Sequence, residues 1–342
     1  MQTRNKIRID KTVGSPLVFV LNIFARILGQ LLRIDHSLSK APRRIAVCKF
    51  MGMGSIIQSL PLMKTLRKNF PEANIVFVST EKNRELLQLI DLIDEIKTVD
   101  DSSFVKTIFS SLKLLLHFWR KRADLYIDLE TYSYYSTAIA TMSCSQNRFG
   151  FYRSDASVRM GVYTHMMYFN IKAPIADAYL QMARLAKCNG IVNTFSGIRI
   201  PEAAEKSFSD KLKTMTSVSI EKYVVINPNA SGLRIERRWD AGSYAAVINS
   251  LAQKYPDLIF ALIGSASEAG WVDSVIRKVD SIYKNRTMNA AGRFSVAELF
   301  AAINTARLVL SNDSGPMHVA YALQKPVVAL FGPCSPQQYG AN

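Results

Sequence analysis

Short runs of apolar residues alternate with longer segments in which apolar residues recur every three or four positions, and this pattern begins at Arg44. The short runs are typical of buried strands, and the longer period is typical of amphipathic helices. In the first half of the chain, the pattern predicts strands at 44–50, 74–80, 94–99, 123–130 and 148–151, and helices at 56–70, 82–90, 104–122, 133–142 and 174–189.

A second alternation of the same kind begins at Tyr223. It predicts strands at 223–228, 258–265, 306–313 and 326–332, helices at 240–255, 267–280 and 295–304, and another helix from Gly315. Strands that alternate with helices form parallel sheets joined by crossover helices. We therefore predict an α/β fold of two Rossmann-like, doubly wound parallel-sheet domains that face each other across a cleft. In such sheets, ligands bind at the carboxyl ends of the strands.

The domain boundaries follow from where the alternation stops. Residues 190–220 are polar and aperiodic, and a chain of 342 residues suits two domains better than one core. The chain therefore divides into a basic N-terminal segment at 1–42, a first Rossmann-like domain at 43–200, a linker at 201–220 and a second Rossmann-like domain at 221–342.

Residues 16–34 are apolar apart from a narrow stripe formed by Asn22, Arg26, Gln30 and Arg33. The segment is short for a membrane span and has an arginine near its middle, so a transmembrane helix is disfavoured. No small-residue cleavage site follows, which argues against a secretory signal. The pattern favours an amphipathic helix on the inner leaflet, with its basic flanks on anionic headgroups. Packing of this helix on the protein's own body is the alternative.

The charge balance supports a polyanionic partner. The chain has 43 lysines and arginines against 27 aspartates and glutamates, a formal charge of +16. Such a balance predicts attraction to anionic lipids, phosphorylated substrates or nucleic acid. A nucleic-acid-binding protein is supported by charge alone, because the sequence has no RNP-like motif and no zinc finger. We therefore expect no specific nucleic-acid partner.

The four cysteines, Cys48, Cys144, Cys188 and Cys334, are scattered and form no CxxC pair. This spacing predicts neither a disulfide framework nor a zinc site, and it fits a reducing cytoplasm. The four histidines form no HExxH or similar cluster. We therefore expect no metal site.

The strongest local motif is SNDSGPMHVAYAL. The predicted strand ends at Asp313, and Ser314 and Gly315 open a helix whose free N–H groups favour a phosphate. Gly315 allows the backbone to approach a ligand closely, and His318 lies in the first helical turn. An ordinary helix cap beside a surface histidine explains the same pattern equally well.

Two further strand ends carry charged residues. NPNASGLRIERRWD places Arg234, Arg237 and Arg238 before the next helix, where guanidinium groups can clamp a diphosphate, although most charge runs are solvated loops. In IGSASE, Gly264 ends a strand and Glu268 lies in the first turn of a helix. A carboxylate there can bind ribose hydroxyls, and interaction with the helix dipole is the commoner reason for its presence.

The first half of the chain has its own candidate residues. The turn KFMGMGSIIQSLP carries Gly52 and Gly54, but its GxGxxG fingerprint is incomplete, so a nicotinamide-dependent oxidoreductase is weakly supported. DLYIDLE puts Asp128 and Glu130 on one face at a strand end. Either can act as a general base, and one of them is equally well a structural hydrogen-bond acceptor.

Together these motifs resemble glycosyltransferase family 9, the lipopolysaccharide heptosyltransferase type, over about residues 43–340. The matching order is a Gly-rich first turn, a DLxIDLE-like strand, RFGF, an NPxA…RRW loop, a GSxxE turn, and DSGPMH followed by FGP. The resemblance implies a GT-B fold and a nucleotide-diphospho-sugar donor, typically ADP-heptose. It also implies an inverted product and no metal ion or other cofactor. The absence of a DxD motif agrees with this.

The resemblance also implies roles for particular residues. The first domain would bind the acceptor and the second the nucleotide sugar. The diphosphate would be contacted by Ser314, Gly315 and His318, with Arg237 as the basic phosphate-binding residue. The remaining donor contacts would be Glu268 on the ribose, Asp313 close to the donor, and Gly264 in the same turn as Glu268.

One position departs from the family pattern. Characterised heptosyltransferases have an aspartate after the glycine of the first turn, as the presumed catalytic base, and this chain has Ser55 there. An unassisted serine hydroxyl is too weak a base near neutral pH. We therefore predict Glu130 as the substitute base and Asp128 as the second choice. A different acceptor, or a catalytically impaired nucleotide-sugar-binding protein, is the alternative.

The expected function is that of an inverting glycosyltransferase that moves a heptose-like sugar to a lipopolysaccharide-type or other membrane glycolipid. Its expected location is the cytoplasm, peripheral on the inner face of the bacterial cytoplasmic membrane, where it meets inner-membrane lipids. The chain ends at Asn342, whereas family members generally continue with a further helical segment, so a shortened protein is also expected.

Overall fold

The computed structural model describes residues 8–216, 218, 222–230 and 234–340. The chain forms two compact units, Met1–Gly197 and Ile198–Asn342. Three parts of the predictions above lie outside the described residues. They are residues 1–7 of the basic N-terminal segment, residues 217, 219 and 220 of the linker, and residues 221, 231–233 and 341–342 of the second domain.

The first unit contains a six-stranded sheet and seven helices in its described part. Its helices are α1 (Ser15–Leu32), α2 (Met53–Ile57), α3 (Leu60–Asn69), α4 (Arg84–Gln88), α5 (Phe104–Arg120), α6 (Tyr134–Met142) and α7 (Ile175–Leu185). Its strands are β1 (Arg44–Cys48), β2 (Asn74–Thr80), β3 (Glu95–Val99), β4 (Leu125–Asp128), β5 (Asn147–Tyr152) and β6 (His165–Tyr168). A π-helical turn, Asp10–Gly14, precedes α1, and short 3₁₀ turns lie at Glu81–Asn83 and Ser154–Arg159.

The strands of the first sheet are all parallel, in the order β3-β2-β1-β4-β5-β6. β1 lies between β2 and β4, so that Val47 is opposite Phe77 on one side and Ile127 on the other. The order of the strands reverses between β1 and β4. Ligands of doubly wound sheets bind at such a reversal, so the loops after β1 and β4 are the ones that matter for function.

One face of the first sheet is covered by α1, α5 and α6. Cys48 and Val78 on the strands share one hydrophobic cluster with Val18 of α1, Phe118 of α5 and Ile139 of α6. The helices belong to this cluster because their apolar residues recur at helical spacing, as in the buried positions 111, 114, 115 and 118 of α5.

The N-terminal helix is attached to the body through its polar side. The Asn22 amide donates to the carbonyl oxygens of Val158 and Met160, and Arg26 Nε donates to Asn22 Oδ1 over 2.8 Å. The Asp10 carboxylate accepts hydrogen bonds from the first backbone amides of α6. The helix therefore packs on the protein's own body through the side that carries Val18 and Asn22, and it exposes most of its apolar residues. The membrane-surface interpretation stays a prediction.

The segment from Asp10 to Leu32 is also long and apolar enough to cross a membrane by length and composition. The sequence-based argument against a span used a shorter segment, and it did not include the turn that precedes α1.

The second unit contains a five-stranded sheet and six helices in its described part. Its helices are α8 (Glu202–Thr214), α9 (Ala241–Lys254), α10 (Ala269–Lys278), α11 (Val296–Thr305), α12 (Gly315–Ala322) and α13 (Pro336–Tyr339). Its strands are β7 (Lys222–Asn227), β8 (Leu258–Leu262), β9 (Thr287–Asn289), β10 (Leu308–Asn312) and β11 (Val327–Leu330). Short 3₁₀ turns lie at Ile235–Arg237, Ala266–Glu268 and Ser281–Arg286.

The second sheet is also parallel, with the strand order β11-β10-β7-β8-β9. β7 lies at its centre, between β8 and β10, and the strand order reverses between β7 and β10. The loops after these two strands are the ones that carry the arginine-rich segment and the DSGPMH motif. The two prominent motifs of the second half therefore meet at one place in the sheet.

The interpretation of 201–220 as a linker was wrong for most of its length, because residues 202–214 form α8. This helix packs on α11 through Glu298, which accepts hydrogen bonds from Ser207 Oγ at 2.6 Å and Lys211 Nζ at 2.7 Å. Burial alone would raise the pKa of Glu298, but these two donors and the Ser295 amide outweigh it and lower the pKa to about 2. The buried side of α8 consists of Ala204, Phe208 and Leu212, an apolar spacing of four residues that the interpretation of 190–220 as aperiodic overlooked.

Candidate functional site

The loops after β7 and β10 are joined by side-chain amides. Asn227, the last residue of β7, donates from Nδ2 to Ser311 Oγ at 2.9 Å and to Ser314 Oγ at 2.6 Å. One amide therefore fixes the spacing between the end of the central strand and the start of α12. A buried polar group is stable only when it is paired, so this contact selects a single arrangement of the two loops.

Asn312 provides a second link at the same edge. Its Oδ1 accepts a hydrogen bond from Tyr244 OH at 2.9 Å, and its Nδ2 donates to the carbonyl oxygen of Asn229 at 3.3 Å. Sequence analysis did not single out Asn227, Asn312 or Tyr244. An asparagine at the end of each of two strands, in the NPN and SND runs, is the signal that could have found two of them.

The start of α12 provides fewer backbone donors than the sequence suggests. The Asp313 amide donates to the Leu330 carbonyl oxygen at 3.0 Å, and Pro316 has no amide hydrogen. The amides of Ser314 and Gly315 have no hydrogen-bond partner among the described residues. Two adjacent donors at a helix N-terminus remain, and an oxyanion is the ligand they favour.

Arg237 lies beside the same turn. Its Nη1 is 3.4 Å from Asp313 Oδ2 and 3.3 Å from the Asp313 carbonyl oxygen. The Asp313 side chain is 2% exposed and that of Arg237 is 20% exposed, so the pair is shielded but can be reached from one side. The carboxylate holds the guanidinium in place beside the two amide groups.

The other two arginines of the loop are also close to carboxylates. Arg238 Nη2 is 3.6 Å from Glu268 Oε1, and Arg234 Nη1 is 3.5 Å from Glu236 Oε1 on an exposed surface. Sequence analysis took all three guanidinium groups as candidates for a diphosphate clamp. The structure narrows this set, because each arginine has an acidic neighbour and only Arg237 contacts Asp313 at the start of α12.

Glu268 and Gly264 each have a structural role in this turn. Glu268 Oε2 accepts hydrogen bonds from the backbone amide and the hydroxyl of Ser265, at 2.8 and 2.7 Å, which is a capping box. Its Oε1 remains near Arg238. A Cβ on Gly264 would lie 2.5 Å from Asn229 Nδ2, so the glycine is needed for close packing of two loops. The predicted role of Glu268 on a ribose stays a prediction.

His318 is buried beneath the start of α12, with 6% of its surface exposed. Burial, and then the positive charge of Arg237, lower the pKa of His318 to about 4. The ring is therefore neutral at physiological pH. It can serve a diphosphate as a neutral hydrogen-bond donor and not as a second cation.

Unsatisfied polar atoms are concentrated at this edge. Buried side-chain atoms without a hydrogen-bond partner in the described part of the second unit are all found here: Asn229 Oδ1, Arg237 Nε, Arg238 Nε and Asp313 Oδ2, the last of which makes an ion pair with Arg237 Nη1. Leaving such an atom without a partner costs about 1–3 kcal/mol. Together with the two open amides, they form a polar surface suited to a ligand with both acceptor and donor groups.

The corresponding place in the first unit is already satisfied. Glu130 Oε1 accepts hydrogen bonds from the amides of Phe50 and Met51 at 2.8 and 2.9 Å, and Glu130 Oε2 is 2.8 Å from Lys49 Nζ. Burial alone would lower the pKa of Lys49, but the adjacent Glu130 raises it above the usual range. The carboxylate therefore anchors the loop that leads into the glycine turn.

Asp128 is fully buried. Its carboxylate accepts hydrogen bonds from the Glu130 amide, Ser136 Oγ and Tyr163 OH, and Arg159 Nη2 is 3.7 Å away. Burial raises the pKa of Asp128, and Arg159 and Tyr163 oppose that shift. These contacts do not favour either carboxylate as the base that sequence analysis proposed, because Asp128 is out of reach of a substrate and Glu130 has its oxygens occupied.

The glycine turn itself is formed as the sequence suggests. Gly52 has a φ of 88°, a left-handed conformation that favours glycine, and it accepts a hydrogen bond from the Ile56 amide at 3.1 Å. Gly54 is buried in the first turn of α2, and Ser55 beside it is partly exposed. A Cβ at Gly52 would lie 3.3 Å from Ser55 Oγ, so the hydroxyl lies directly beneath the turn.

Comparison with known proteins adds an independent result. A family model described as glycosyltransferase family 9 (heptosyltransferase) matches residues 112–342. The chain is 24% identical over 299 residues to lipopolysaccharide heptosyltransferase 1 of Campylobacter coli, which covers 84% of each protein. It is 24% identical over 294 residues to lipopolysaccharide heptosyltransferase 2 of Escherichia coli K12, which covers 83% of this chain and 81% of the relative.

Solved structures show the same fold. The glycosyl transferase family 9 protein from Veillonella parvula superposes with a TM-score of 0.77 at 23% identity, over 88% of this chain and 84% of that one. E. coli ADP-heptose lipopolysaccharide heptosyltransferase II superposes with a TM-score of 0.72 at 22% identity, over 87% of each chain. The predicted fold class, two Rossmann-like parallel-sheet domains of the GT-B type with an N-terminal apolar helix, is thereby confirmed.

Proposed function

Because the chain belongs to glycosyltransferase family 9, the heptosyltransferase family, we propose that it transfers a heptose-like sugar from a nucleotide-diphosphate donor to a lipopolysaccharide-type glycolipid. The chain is a glycosyltransferase. The names of its relatives support the choice of sugar and acceptor, and the polar edge of the second sheet supports a diphosphate-containing donor such as ADP-heptose.

The observation that carries the donor proposal is the set of open donors between β7 and β10. The amides of Ser314 and Gly315 and the guanidinium of Arg237 lie within one turn of each other. A diphosphate is an anion with several acceptor oxygens, so it can pair with all of them at once. Glu268 is the proposed ribose contact, through the oxygen that the capping box leaves unused.

The proposed reaction is a direct displacement at the anomeric carbon. A hydroxyl of the acceptor forms the new bond to that carbon and gives its proton to a base. The bond between the carbon and the diphosphate oxygen breaks, and the nucleoside diphosphate leaves with the electron pair. The α12 amides and Arg237 stabilise the charge that develops on the leaving oxygen, and attack from the opposite side inverts the configuration.

The described contacts around the first glycine turn do not provide a free carboxylate as the base. Ser55 has replaced the family's aspartate in the first turn, and Glu130 and Asp128 are held by internal partners. A second candidate function follows from this observation, namely a protein that binds a nucleotide sugar without transferring it. Turnover of ADP-heptose above the uncatalysed rate, with a lipopolysaccharide-core acceptor, contradicts that second function.

No metal ion or other cofactor enters the proposed chemistry. The amide and guanidinium donors neutralise the leaving group, which is the task that a divalent cation performs in other transferases. We expect transfer to continue unchanged in the presence of EDTA. Recovery of activity only on addition of Mg²⁺ or Mn²⁺ would overturn this part of the proposal.

A thermal-shift series with ADP, UDP, GDP and CMP sugars tests the donor proposal. A specific donor raises the unfolding temperature in a concentration-dependent way, because it binds the folded state alone. We expect a response to ADP-heptose that Arg237→Ala abolishes. Arg234→Ala is the matched control, since Arg234 belongs to the same loop but lies on its exposed side. An equal loss in both variants would show that the response does not come from the α12 site.

The proposed location is the cytoplasmic face of the inner membrane, where a lipopolysaccharide-type acceptor is embedded. The exposed apolar face of α1 supports a peripheral attachment. Sedimentation of the full chain with inner-membrane fractions, and its release by high pH, is the expected result for peripheral binding. Resistance to that extraction would indicate instead that the segment from Asp10 to Leu32 spans the bilayer.

A further inference from the structure

A second helix of the first unit exposes an apolar face that the proposed function does not use. In α5, the side chains of Phe104, Phe109 and Trp119 are 60%, 68% and 55% exposed. Four aliphatic residues of the same helix are also exposed: Val105, Ile108, Leu112 and Leu116. A solvent-facing helix normally carries polar residues there, and contiguous apolar patches of this kind mark interaction surfaces.

This face lies on the same side of the sheet as the exposed face of α1. Both helices belong to the hydrophobic cluster that covers one face of the first sheet, and both contact α6. Tyr135 of α6 is hydrogen-bonded to Ser111 of α5, and Trp119 Nε1 donates to the Met142 carbonyl oxygen at 2.8 Å. Trp119, a member of the exposed stripe, therefore lies on the flank of α5 that faces α6.

The exposed face of α1 is wider still. It consists of Leu17, Phe19, Val20, Ile23, Phe24, Ile27, Leu28, Leu31 and Leu32, each at least 42% exposed. The contacts of Asp10, Asn22 and Arg26 hold this helix to the first unit from its first turn to its middle. The exposed residues of α1 and α5 are called the two-helix surface below.

Within the two stretches of chain that form the two-helix surface, the charged side chains have one sign, although Lys106 also contacts Asp100, which precedes α5. The sequence has no aspartate or glutamate between positions 11 and 34 or between 104 and 122. The same two stretches carry eight cationic residues: Lys11, Arg26, Arg33, Lys106, Lys113, Arg120, Lys121 and Arg122. Apolar and aromatic side chains flanked by lysine and arginine complement a bilayer with anionic headgroups, because the acyl region takes the former and the headgroups attract the latter.

We propose that α1 and α5 together form one membrane-docking surface that binds a bilayer containing anionic lipid. The inference rests on the proposed function, since a membrane-embedded acceptor gives the surface its purpose. It goes beyond an N-terminal anchor because α5 belongs to the body of the first unit. Two helices fixed to one sheet contact the bilayer at separate places, so the first unit is held in one orientation above its acceptor.

Vesicle co-sedimentation of the full chain tests this surface. The probes are phosphatidylcholine vesicles and the same vesicles with phosphatidylglycerol. We expect tighter binding to the anionic vesicles and a weakening of about tenfold in Phe104→Ser/Phe109→Ser, since two exposed aromatic side chains no longer enter the interface. Ile282→Ser is the matched control, because Ile282 is 70% exposed but belongs to the second unit.

A charge-reversal pair separates headgroup attraction from apolar insertion. Arg120→Glu/Lys121→Glu should lose the preference for phosphatidylglycerol and much of its salt dependence, whereas Lys284→Glu, an exposed lysine of the second unit, should keep both. Wild-type binding in the α5 variants, with loss only on removal of the α1 apolar face, would overturn the two-helix surface. A salt-independent dimer that dissociates in Phe104→Ser/Phe109→Ser would overturn it in favour of self-association.

The vesicle experiments and the donor experiments can fail separately, so the results distinguish a failure of the docking surface from a failure of the proposed function. The ADP-heptose thermal shift and transfer to a soluble, deacylated acceptor should be unchanged in the α5 variants, because the substitutions are far in sequence from the α12 site and on an exposed face. If the wild-type chain shows no donor response, the proposed function fails while vesicle binding still reports on the surface. If the wild-type chain binds the donor and the α5 variants bind vesicles as tightly as the wild type, the docking-surface proposal is wrong and the proposed function stands.

Discussion

The two sheets reverse their strand order beside a central strand, and the polar groups at these two places differ in how far the chain itself satisfies them. Between β1 and β4, Glu130 is held by two backbone amides and Lys49, and Asp128 by three donors. Between β7 and β10, two amides and four buried side-chain atoms have no hydrogen-bond partner among the described residues, although Asp313 Oδ2 makes an ion pair with Arg237.

The difference shows how to interpret a carboxylate or an arginine at a strand end. Position alone selected Asp128, Glu130, Asp313 and Arg237 equally well. The contacts separate them, because a group whose hydrogen bonds are complete inside the protein has little left for a substrate, and an incomplete group gains by binding one. The polar groups at the first reversal point therefore have a structural role, and those at the second are suited to binding a ligand.

Replacement of Arg159, the cation beside Asp128 at the first reversal point, has the largest expected effect on stability. Arg159→Met leaves the Asp128 carboxylate buried without its ion-pair partner, and we expect a loss of about 3–5 kcal/mol in the free energy of unfolding, measured by urea titration. The double variant Asp128→Asn/Arg159→Met should recover part of this loss, because no uncompensated charge remains. If Arg159→Met were as stable as the wild type, the contacts around Asp128 would not be needed for stability.

Glu130→Gln tests the comparison directly. If Glu130 is an anchor, the variant leaves Lys49 without its counter-ion and loses about 2–3 kcal/mol of stability, while Lys49→Met/Glu130→Gln recovers much of it. If Glu130 is the base, the catalytic rate falls at least about a hundredfold with little change in unfolding temperature, and the acid limb of the pH–rate profile disappears. We expect the first result.

At the second reversal point, Arg237→Ala should weaken donor binding by about ten- to a hundredfold, the equivalent of losing a charge-assisted hydrogen bond of about 1.5–3 kcal/mol. Isothermal titration with ADP measures this without the need for an acceptor. Arg237→Lys should recover only part of the affinity, because a lysine lacks the planar fork. Unchanged affinity in Arg237→Ala would place the diphosphate elsewhere.

The pH dependence of stability gives the smallest effect. The pKa of His318 falls from about 6.5 in the unfolded chain to about 4 in the fold, so the unfolded state binds the extra proton between these values. Stability is therefore full above pH 6.5 and declines as the pH falls towards 4, by about 1–2 kcal/mol at pH 5. The unfolding midpoint of His318→Asn should lack this decline. A variant with the wild-type slope would assign the decline to other groups.

Glu298 gives a separate window below that of His318. Because its folded pKa is about 2 and its ordinary value is 4.5, the contribution of Glu298 is present above pH 4.5 and is lost as the pH falls towards 2. The two windows barely overlap. A decline already visible at pH 6 therefore does not come from the contact between α8 and α11.

Local pattern determined much of the architecture. The strand at 74–80 and the helix from Gly315 were predicted at the bounds that the structure shows, and the parallel alternation of strands and helices follows in both units. These features depend on hydrophobic periodicity and on residues such as glycine and proline, which act within a few positions of themselves. The family resemblance was also carried by short motifs that are complete in the sequence.

Tertiary structure decided the features whose partners are distant in the chain. β6 and β9 are short edge strands that no local pattern marked, and the contacts of Glu298 with Ser207 and Lys211 decide where α8 packs. Glu130 anchors a loop because the fold brings it next to the Phe50 amide, which is eighty residues away in the sequence. Hydrogen bonds and ion pairs of this kind depend on which groups the fold brings together, and a linear pattern records the groups but not their partners.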